Sequence, residues 1–306
     1  MGAPTWPPIP PTLGTPRAPT GRSSKLRHAA PDGRPRYHHP VPPVDPRPAA
    51  SVLLVRAAPT GAPEPLEVYV IRRNKGMKFL GGYYAFPGGR VDTEDSSPEA
   101  LARCHGLTET AAADIHPGHD DLAPLAFWVT AVRELLEETG VLLACDASGR
   151  AIDAGEAAVA AAIEHARRDL MAGEPFARIL ARSGWSCDLS PLRYLSHFIT
   201  PTSSPIRFTA RFFLGRAPAD QAPVLFTEET SEGFWMGPGE GWRRFVAGEM
   251  AMAEPAEYGL AYLAQFETFD ALWDAHADGR HKFHGIVDRI DSFWARFDWK
   301  SNQWRG

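Results

Sequence analysis

Cysteine is scarce in this chain, with only three cysteines among 306 residues, all far apart. Their spacing contains no C-x-x-C pair, which argues against a zinc motif or a disulfide framework. Long apolar runs are also missing, because no stretch reaches the roughly 18–20 residues of a membrane-spanning helix. No charged and then apolar leader opens the chain. The sequence therefore predicts an unexported, cytoplasmic protein that does not span a membrane.

A strong charge of either sign is absent too. The chain has 32 Lys and Arg residues against 37 Asp and Glu residues, a formal net charge of −5. This balance argues against a dedicated nucleic-acid-binding protein, although local basic residues could still bind small anions. The hydrophobic content of 44% is sufficient for one large domain, or for one domain with a small companion. A folded enzyme acting on a small molecule is the class that these numbers favour.

The composition divides the chain into three parts. Residues 1–48 hold 14 of the 29 prolines and no hydrophobic periodicity. Such a segment cannot bury a core, so we expect a disordered tail, with a basic docking arm as the alternative. Residues 49–240 are predicted to form the main domain, with an insertion at about 96–126. Residues 241–306 have helical patterns and are expected to form a C-terminal extension packed on that domain.

The local patterns predict a mixed α/β (α+β) fold. Two β-branched runs, "ASVLLVRAA" and "LEVYVIRR", flank a Pro/Gly-rich turn and indicate a hairpin. Residues 123–143 have apolar residues at helical spacing, and Gly140 is a suitable C-cap. A short strand is expected at 141–144. Strands with a helix between them, followed by helices, predict a sandwich of helices and a sheet.

Two separated motifs carry the chemistry. "FPGGRV" is followed much later by "RELLEETGV", in which Glu134, Glu137 and Glu138 fall within one arc of a helix. Three clustered carboxylates repel one another unless cations neutralise them, and oxygen ligands of this kind suit Mg²⁺ or Mn²⁺. Arg133 is placed for an i, i+4 pair that would orient Glu137. A plain solvent-facing charge run is the alternative, and the preceding glycines and the glycine cap disfavour it.

The two motifs together resemble the Nudix box, G-x5-E-x7-R-E-U-x-E-E-x-G-U, where U is apolar. In this chain 37 residues separate Asp95 from Arg133 instead of seven, so an inserted loop splits the box. Such an insertion adds little closure entropy, so the halves can still meet. The first acidic position stays open: counting from Gly89 gives Asp95, and counting from Gly88 gives Glu94. The resemblance implies a Nudix-type α/β/α sandwich with a mixed sheet.

The resemblance also implies a reaction and its alternatives. "FPGGRVDTEDSS", "RELLEETGVLL" and "TPTSSPIRFTARFFL" resemble the coenzyme A diphosphatase branch of this superfamily. Metal-dependent hydrolysis of coenzyme A or acyl-coenzyme A to 3′,5′-ADP and phosphopantetheine is expected. An ADP-ribose or NADH pyrophosphatase, a non-catalytic nucleotide sensor and, less favoured, an isomerase are the alternatives. All three box glutamates are retained, which favours catalysis. The sequence does not indicate the oligomeric state, and a homodimer is possible because many members of the family dimerise.

Functional residues follow from matching positions. The resemblance gives Glu134, Glu137, Glu138 and the Gly88 carbonyl to the metal, with Arg133 beside them. Glu229 is the favoured extra glutamate in "TEETSEGFW". The candidate substrate-binding residues lie near the box or on a strand with alternating arginines, and they are Arg73, Lys78, Gly89, Arg207 and Arg211. For the arginines and Lys78, ordinary solvated or ion-paired surface positions are the alternative.

Overall fold

A computed structural model describes residues 44–77, 80–116, 118–119, 121–202, 204–225 and 230–277, and the backbone at 297–298 and 303–304. Most of the predicted tail lies outside these residues. The first strand begins at Arg47, two residues before the predicted start of the main domain.

The chain begins with four strands, and groups of helices and strands follow them. The strands are β1 Arg47–Ala57, β2 Leu66–Arg73, β3 Tyr84–Ala85, β4 Gly88–Arg90, β5 Cys104–His105, β6 Ala144–Cys145, β7 Ser186–Asp188, β8 Leu192–Ile199, β9 Phe208–Arg216, β10 Thr230–Met236, β11 Phe297–Asp298 and β12 Gln303–Trp304. The helices are α1 Pro98–Ala102, α2 Glu109–Ile115, α3 Ala126–Thr139, α4 Ala157–Met171, α5 Phe176–Ser183, α6 Pro238–Val246, α7 Glu254–Leu263 and α8 Phe269–Ala275.

The main sheet is mixed, as the resemblance to the Nudix box implies. Its strand order is β10-β2-β1-β9-β8, with β3 paired to β2 and β4 paired to β1. The β1–β9 pair is parallel and the others are antiparallel. The predicted hairpin is confirmed, with Val55 opposite Val68. The central strand β1 has a continuous apolar run because helices cover both of its faces.

Two hydrophobic cores lie on opposite faces of this sheet, which gives an α/β/α sandwich. On one face, α3 packs with α4 and α5 outside it. The other face carries α6, α7 and α8. Gly259 lets α7 approach closely, since a Cβ there would lie 2.7 Å from the Phe86 ring and 3.0 Å from a Leu53 methyl group. Residues 241–277 therefore contribute to the second core, while the division into domains stays a prediction.

The helix that carries the glutamate motif has nearly the predicted bounds, but the strand predicted after it is not present at 141–143. Helix α3 ends at Thr139, and Gly140 caps it in the left-handed conformation with φ +72°. Residues 141–143 do not join a strand, and β6 starts at Ala144. The reason is a side chain: the amide of Gln221 pairs with both the N–H and the carbonyl of Leu142, at 2.8 and 3.0 Å.

The inserted segment is more ordered than the predicted loop. It contains α1, β5 and α2, and β5 pairs in parallel with β7 in a second, three-stranded sheet. His116 is 4% exposed and stacks on Trp128 of α3, with ring centroids 4.7 Å apart. The insertion is thus anchored in the first core. Across the parts of the chain that the structure describes, no helix is long and apolar enough to cross a membrane.

Candidate active site

Helix α3 presents its carboxylates to the two glycines of "FPGG". Glu134 and Glu138 are buried, whereas the Glu137 side chain is 37% exposed. The N–H of Gly88 donates to Glu138 Oε2 at 2.8 Å. Gly89 is pressed against Glu134, because a Cβ at this position would lie 2.6 Å from the Glu134 carboxyl carbon. The two predicted motifs therefore meet in space despite the insertion.

The position of Gly88 leaves no room for a side chain. Its φ is +157°, and a Cβ there would come within 2.6 Å of Ser51 Cα on the neighbouring strand β1. In addition, the Ser51 hydroxyl donates to the Pro87 carbonyl at 2.9 Å. The turn before β4 is therefore fixed tightly against β1, and this fixes the backbone that faces the carboxylates.

Arg133 connects the acidic groups. Its Nη1 lies 2.9 Å from Glu134 Oε1 and 3.1 Å from Glu137 Oε2, which confirms the predicted i, i+4 pair. Nη2 donates to the carbonyl of Arg90 at 2.8 Å. Burial opposes the charge of Arg133, but Glu134 and Asp95 outweigh it and raise the pKa of the guanidinium above its ordinary value. Arg133 is thus a permanent cation that orients two glutamates.

The structure distinguishes between the two candidates for the first acidic position. Asp95 is 1% exposed and accepts from Arg133 Nε at 2.9 and 3.1 Å and from Nη2 at 3.0 Å. It also accepts from the Thr130 hydroxyl at 2.8 Å and from the N–H of Asp92 at 3.0 Å. Glu94 is exposed. Asp95 is therefore the acid that joins the first half of the split box to the second.

Burial disfavours the ionised forms of two of the carboxylates. Burial, with repulsion from Glu137, raises the pKa of Glu134 to about 7 although Arg133 lowers it. Burial and the charge of Glu134 raise the pKa of Glu138 well above its ordinary value. Within the described residues, no three His, Cys, Asp or Glu side chains are already arranged around an ion position. The all-oxygen donor set and its mutual repulsion nevertheless fit a hard divalent cation, which would favour the ionised forms.

Among the predicted substrate-binding side chains, Arg73 is one whose charge acts on this cluster. It ends β2 opposite Thr230 of β10, and its positive charge lowers the pKa of Glu138. Its Nε is buried and has no hydrogen-bond partner among the residues that the structure describes. Lys78 and Glu229, two further predicted site residues, lie outside the described residues.

Arg207 and Arg211 of the alternating strand make contacts within the protein. Arg207 donates to the carbonyls of Thr200 and Val44, at 2.9 and 2.7 Å. Arg211 is 2% exposed, and its Nη1 donates to the Thr209 hydroxyl at 2.7 Å. Its guanidinium also lies 4.4 Å from the Phe127 ring centroid. These contacts bring neither arginine to the glutamate cluster, so their substrate roles stay predictions.

One residue at the site was not identified from the sequence. Arg167 of α4 donates from Nε and Nη2 to the carbonyl of Glu137, at 3.1 and 2.9 Å. It lies thirty residues further along the chain. No spacing rule connects it to the motif, and the only sequence signal is an arginine on an otherwise apolar side of an alanine-rich helix.

A mixed sheet between helical layers, with buried glutamates on α3 facing a glycine turn, defines a Nudix-fold protein. No family profile matches the chain. A Nudix hydrolase from Alicyclobacillus acidocaldarius, known from its crystal structure, is 31% identical and superposes with a TM-score of 0.63. That match covers 75% of this chain and 96% of the other. The chain belongs to the Nudix hydrolases, and it is an enzyme that hydrolyses nucleotide-linked diphosphates.

Two curated relatives are also similar over most of their length. The acyl-coenzyme A diphosphatase NUDT19 of Gallus gallus is 28% identical over 273 residues, which is 76% of this chain and 71% of the relative. The human protein of the same name is 28% identical over 267 residues, which is 74% of this chain and 70% of the relative.

Proposed function

We propose that this Nudix hydrolase cleaves the diphosphate of coenzyme A or of an acyl-coenzyme A, releasing 3′,5′-ADP and phosphopantetheine or its acylated form. The observation that carries the hydrolytic function is the buried pair Glu134 and Glu138, pressed against Gly88 and Gly89 beside the charge of Arg73. The choice of coenzyme A is supported by the names of the chicken and human relatives and by the matching sequence pieces.

The proposed cation site uses groups of α3 and the adjoining turn. Glu134, Glu137, Glu138 and the carbonyl of Gly88 would hold Mg²⁺ or Mn²⁺. When bound, such an ion supplies charge neutralisation for the diphosphate and lowers the pKa of water. Arg133 contributes by holding the carboxylates of Glu134 and Glu137 in fixed directions. Preorganised charges of this kind lower the barrier because they need not reorient during the reaction.

The remaining residues bind the substrate and move a proton. In the reaction a water oxygen forms a bond to one phosphorus, the bridging P–O bond breaks, and the water proton passes to a base. We assign the base to Glu229 and the binding of a phosphate to Arg73, whose guanidinium can donate to two phosphate oxygens at once. Gly89 would let a diphosphate approach the backbone closely. Lys78, Arg207 and Arg211 are proposed as further cations for the 3′-phosphate or diphosphate.

A substrate panel tests the function. Purified protein with Mg²⁺ or Mn²⁺ is incubated with coenzyme A, acetyl-coenzyme A, ADP-ribose and NADH, and the products are identified by mass spectrometry. Release of 3′,5′-ADP with phosphopantetheine supports the proposal. Preferred hydrolysis of ADP-ribose or NADH would show that coenzyme A is not the main substrate. A lack of turnover on all four compounds would favour the alternative of a non-catalytic nucleotide sensor.

The Glu138→Gln variant tests the site. Because Glu138 is buried and its pKa is raised, glutamine resembles the protonated side chain that the fold already accommodates. We expect turnover to fall by at least about 100-fold, since a metal ligand is lost, while the melting temperature stays within a few degrees of the wild type. Glu94→Gln, at an exposed position, is the matched control. Full activity of Glu138→Gln would refute the assignment.

A further inference from the structure

Arg167 joins two segments that are distant in sequence. Its side chain is buried, 7% exposed, between the last turn of α3 and the connection from β9 to β10. Nε and Nη2 donate to the carbonyl of Glu137, and Nη1 donates to the carbonyl of Val224 at 2.7 Å. One forked guanidinium therefore holds the helix that carries the glutamates and a segment that leads to β10.

At the helix end this arginine satisfies a carbonyl that the helix leaves open. The carbonyls of the last turn of a helix have no partner within it, and the N–H of Val141 donates to the Thr139 hydroxyl instead of to Glu137. A cation is also favourable at a helix C-terminus because of the helix dipole. Gly140 allows this approach, since a Cβ there would lie 3.0 Å from Arg167 Nη1.

The other segment is fixed at the same place. The N–H of Val224 donates to the carbonyl of Thr139 at 2.8 Å, and the side-chain amide of Gln221 pairs with the backbone of Leu142. The segment 221–224 thus runs along 139–142. Arg167 of α4 donates hydrogen bonds to both segments, at the carbonyls of Glu137 and Val224. Burial lowers the pKa of Arg167, while Tyr69, Glu137 and Glu138 oppose that shift.

We propose that Arg167 is a positioning residue for the cation-binding carboxylates of α3. By fixing the Glu137 carbonyl and the neighbouring segment, it holds the turn that presents Glu137 and Glu138 in one conformation. This inference rests on the proposed cation site and extends it to a helix outside the split box. Groups that orient metal ligands from behind typically contribute about 10–100-fold in metal affinity or activity.

The test compares Arg167→Met and Arg167→Lys with Arg168→Met, a control at the adjacent, exposed position of α4. Mn²⁺ binding is measured without substrate, by electron paramagnetic resonance of the free ion. We expect Arg167→Met to weaken Mn²⁺ binding and to lower kcat about 10–100-fold, with a much smaller change in KM. Arg167→Lys should resemble Arg167→Met, because lysine lacks the planar fork. Arg168→Met should stay within twofold of the wild type.

Two further readouts separate positioning from general stability. Hydrogen exchange at the Val224 and Gly140 amides should accelerate in the Arg167 variants, at temperatures where circular dichroism shows that they are folded. A folded Arg167→Met or Arg167→Lys protein that binds Mn²⁺ within twofold of the wild type would overturn the proposal. Mn²⁺ binding that depends on Arg167 in a protein without turnover on any diphosphate would support it, and would refute the proposed function alone.

Discussion

The ion pair between Asp95 and Arg133 offers the sharpest test of how the split box is joined. In Asp95→Asn, the side chain keeps its size but loses its charge, and Arg133 loses the carboxylate that accepts from both Nε and Nη2. Removing one partner of a buried pair costs about 3–5 kcal/mol because the other charge stays buried. Glu134 and Glu137 still compensate Arg133 in part, so we expect the lower end, about 3 kcal/mol.

The measurement is the free energy of unfolding from urea titration, supported by thermal melting. For a domain of this size, about 3 kcal/mol corresponds to roughly 6–12 °C in melting temperature. Glu94→Gln is the matched control, because Glu94 is adjacent in sequence and exposed, and a change of less than about 0.5 kcal/mol is expected there. Equal losses in the two variants, or a larger loss in Glu94→Gln, would show that Asp95 does not join the halves of the box.

Three further predictions concern the glycine turn, a helix cap and pH. Gly88→Ala should lower the melting temperature clearly more than Gly61→Ala. Both glycines have positive φ, but only at Gly88 would a Cβ clash with the backbone of β1. Similar melting temperatures of the two variants would contradict this. Glu64→Ala should lower the free energy of unfolding by about 0.5–2 kcal/mol, since its carboxylate accepts from the first amides of α6 at 2.7 Å, and an unchanged urea midpoint would refute the cap. With a chelator present, the free energy of unfolding should fall as pH rises from about 4.5 to about 7. Burial raises the folded-state pKa of Glu134 to about 7 and that of Glu138 well above its ordinary value, so the folded protein binds the extra protons. Saturating Mn²⁺ should remove this fall, and a fall that is undiminished in Glu134→Gln would argue against Glu134 as one of its sources.

The site combines two kinds of requirement. Burial of Glu134 and Glu138 together disfavours the ionised form of both, and the glycines are needed because the backbone of the turn approaches both β1 and the carboxylates. Neither requirement would be visible from a helix alone, where Glu134, Glu137 and Glu138 could be an ordinary charged face. The fold makes them a site by placing a close-packed turn against them.

Much of the fold could be predicted from local pattern. The hairpin of β1 and β2, the helix ending at Gly140 and the pair of Arg133 with Glu137 depend on residues close in sequence, and the structure contains all three. The strand expected at 141–144 was wrong because the side chain of Gln221, from a distant part of the chain, occupies the backbone groups of Leu142. The insertion was expected as a loop, yet its short strand β5 pairs with β7.

The sequence by itself indicated the class of enzyme through its resemblance to the Nudix box, because Arg133, Glu134, Glu137 and Glu138 occupy neighbouring positions on one helix. Only the tertiary structure decided that Asp95 and not Glu94 pairs with Arg133, and that Arg167 fixes the end of the catalytic helix. The physical reason is the same in both cases. These contacts join residues separated by 38 and 30 positions, and the path of the chain between them, which local spacing does not encode, brings the charges together.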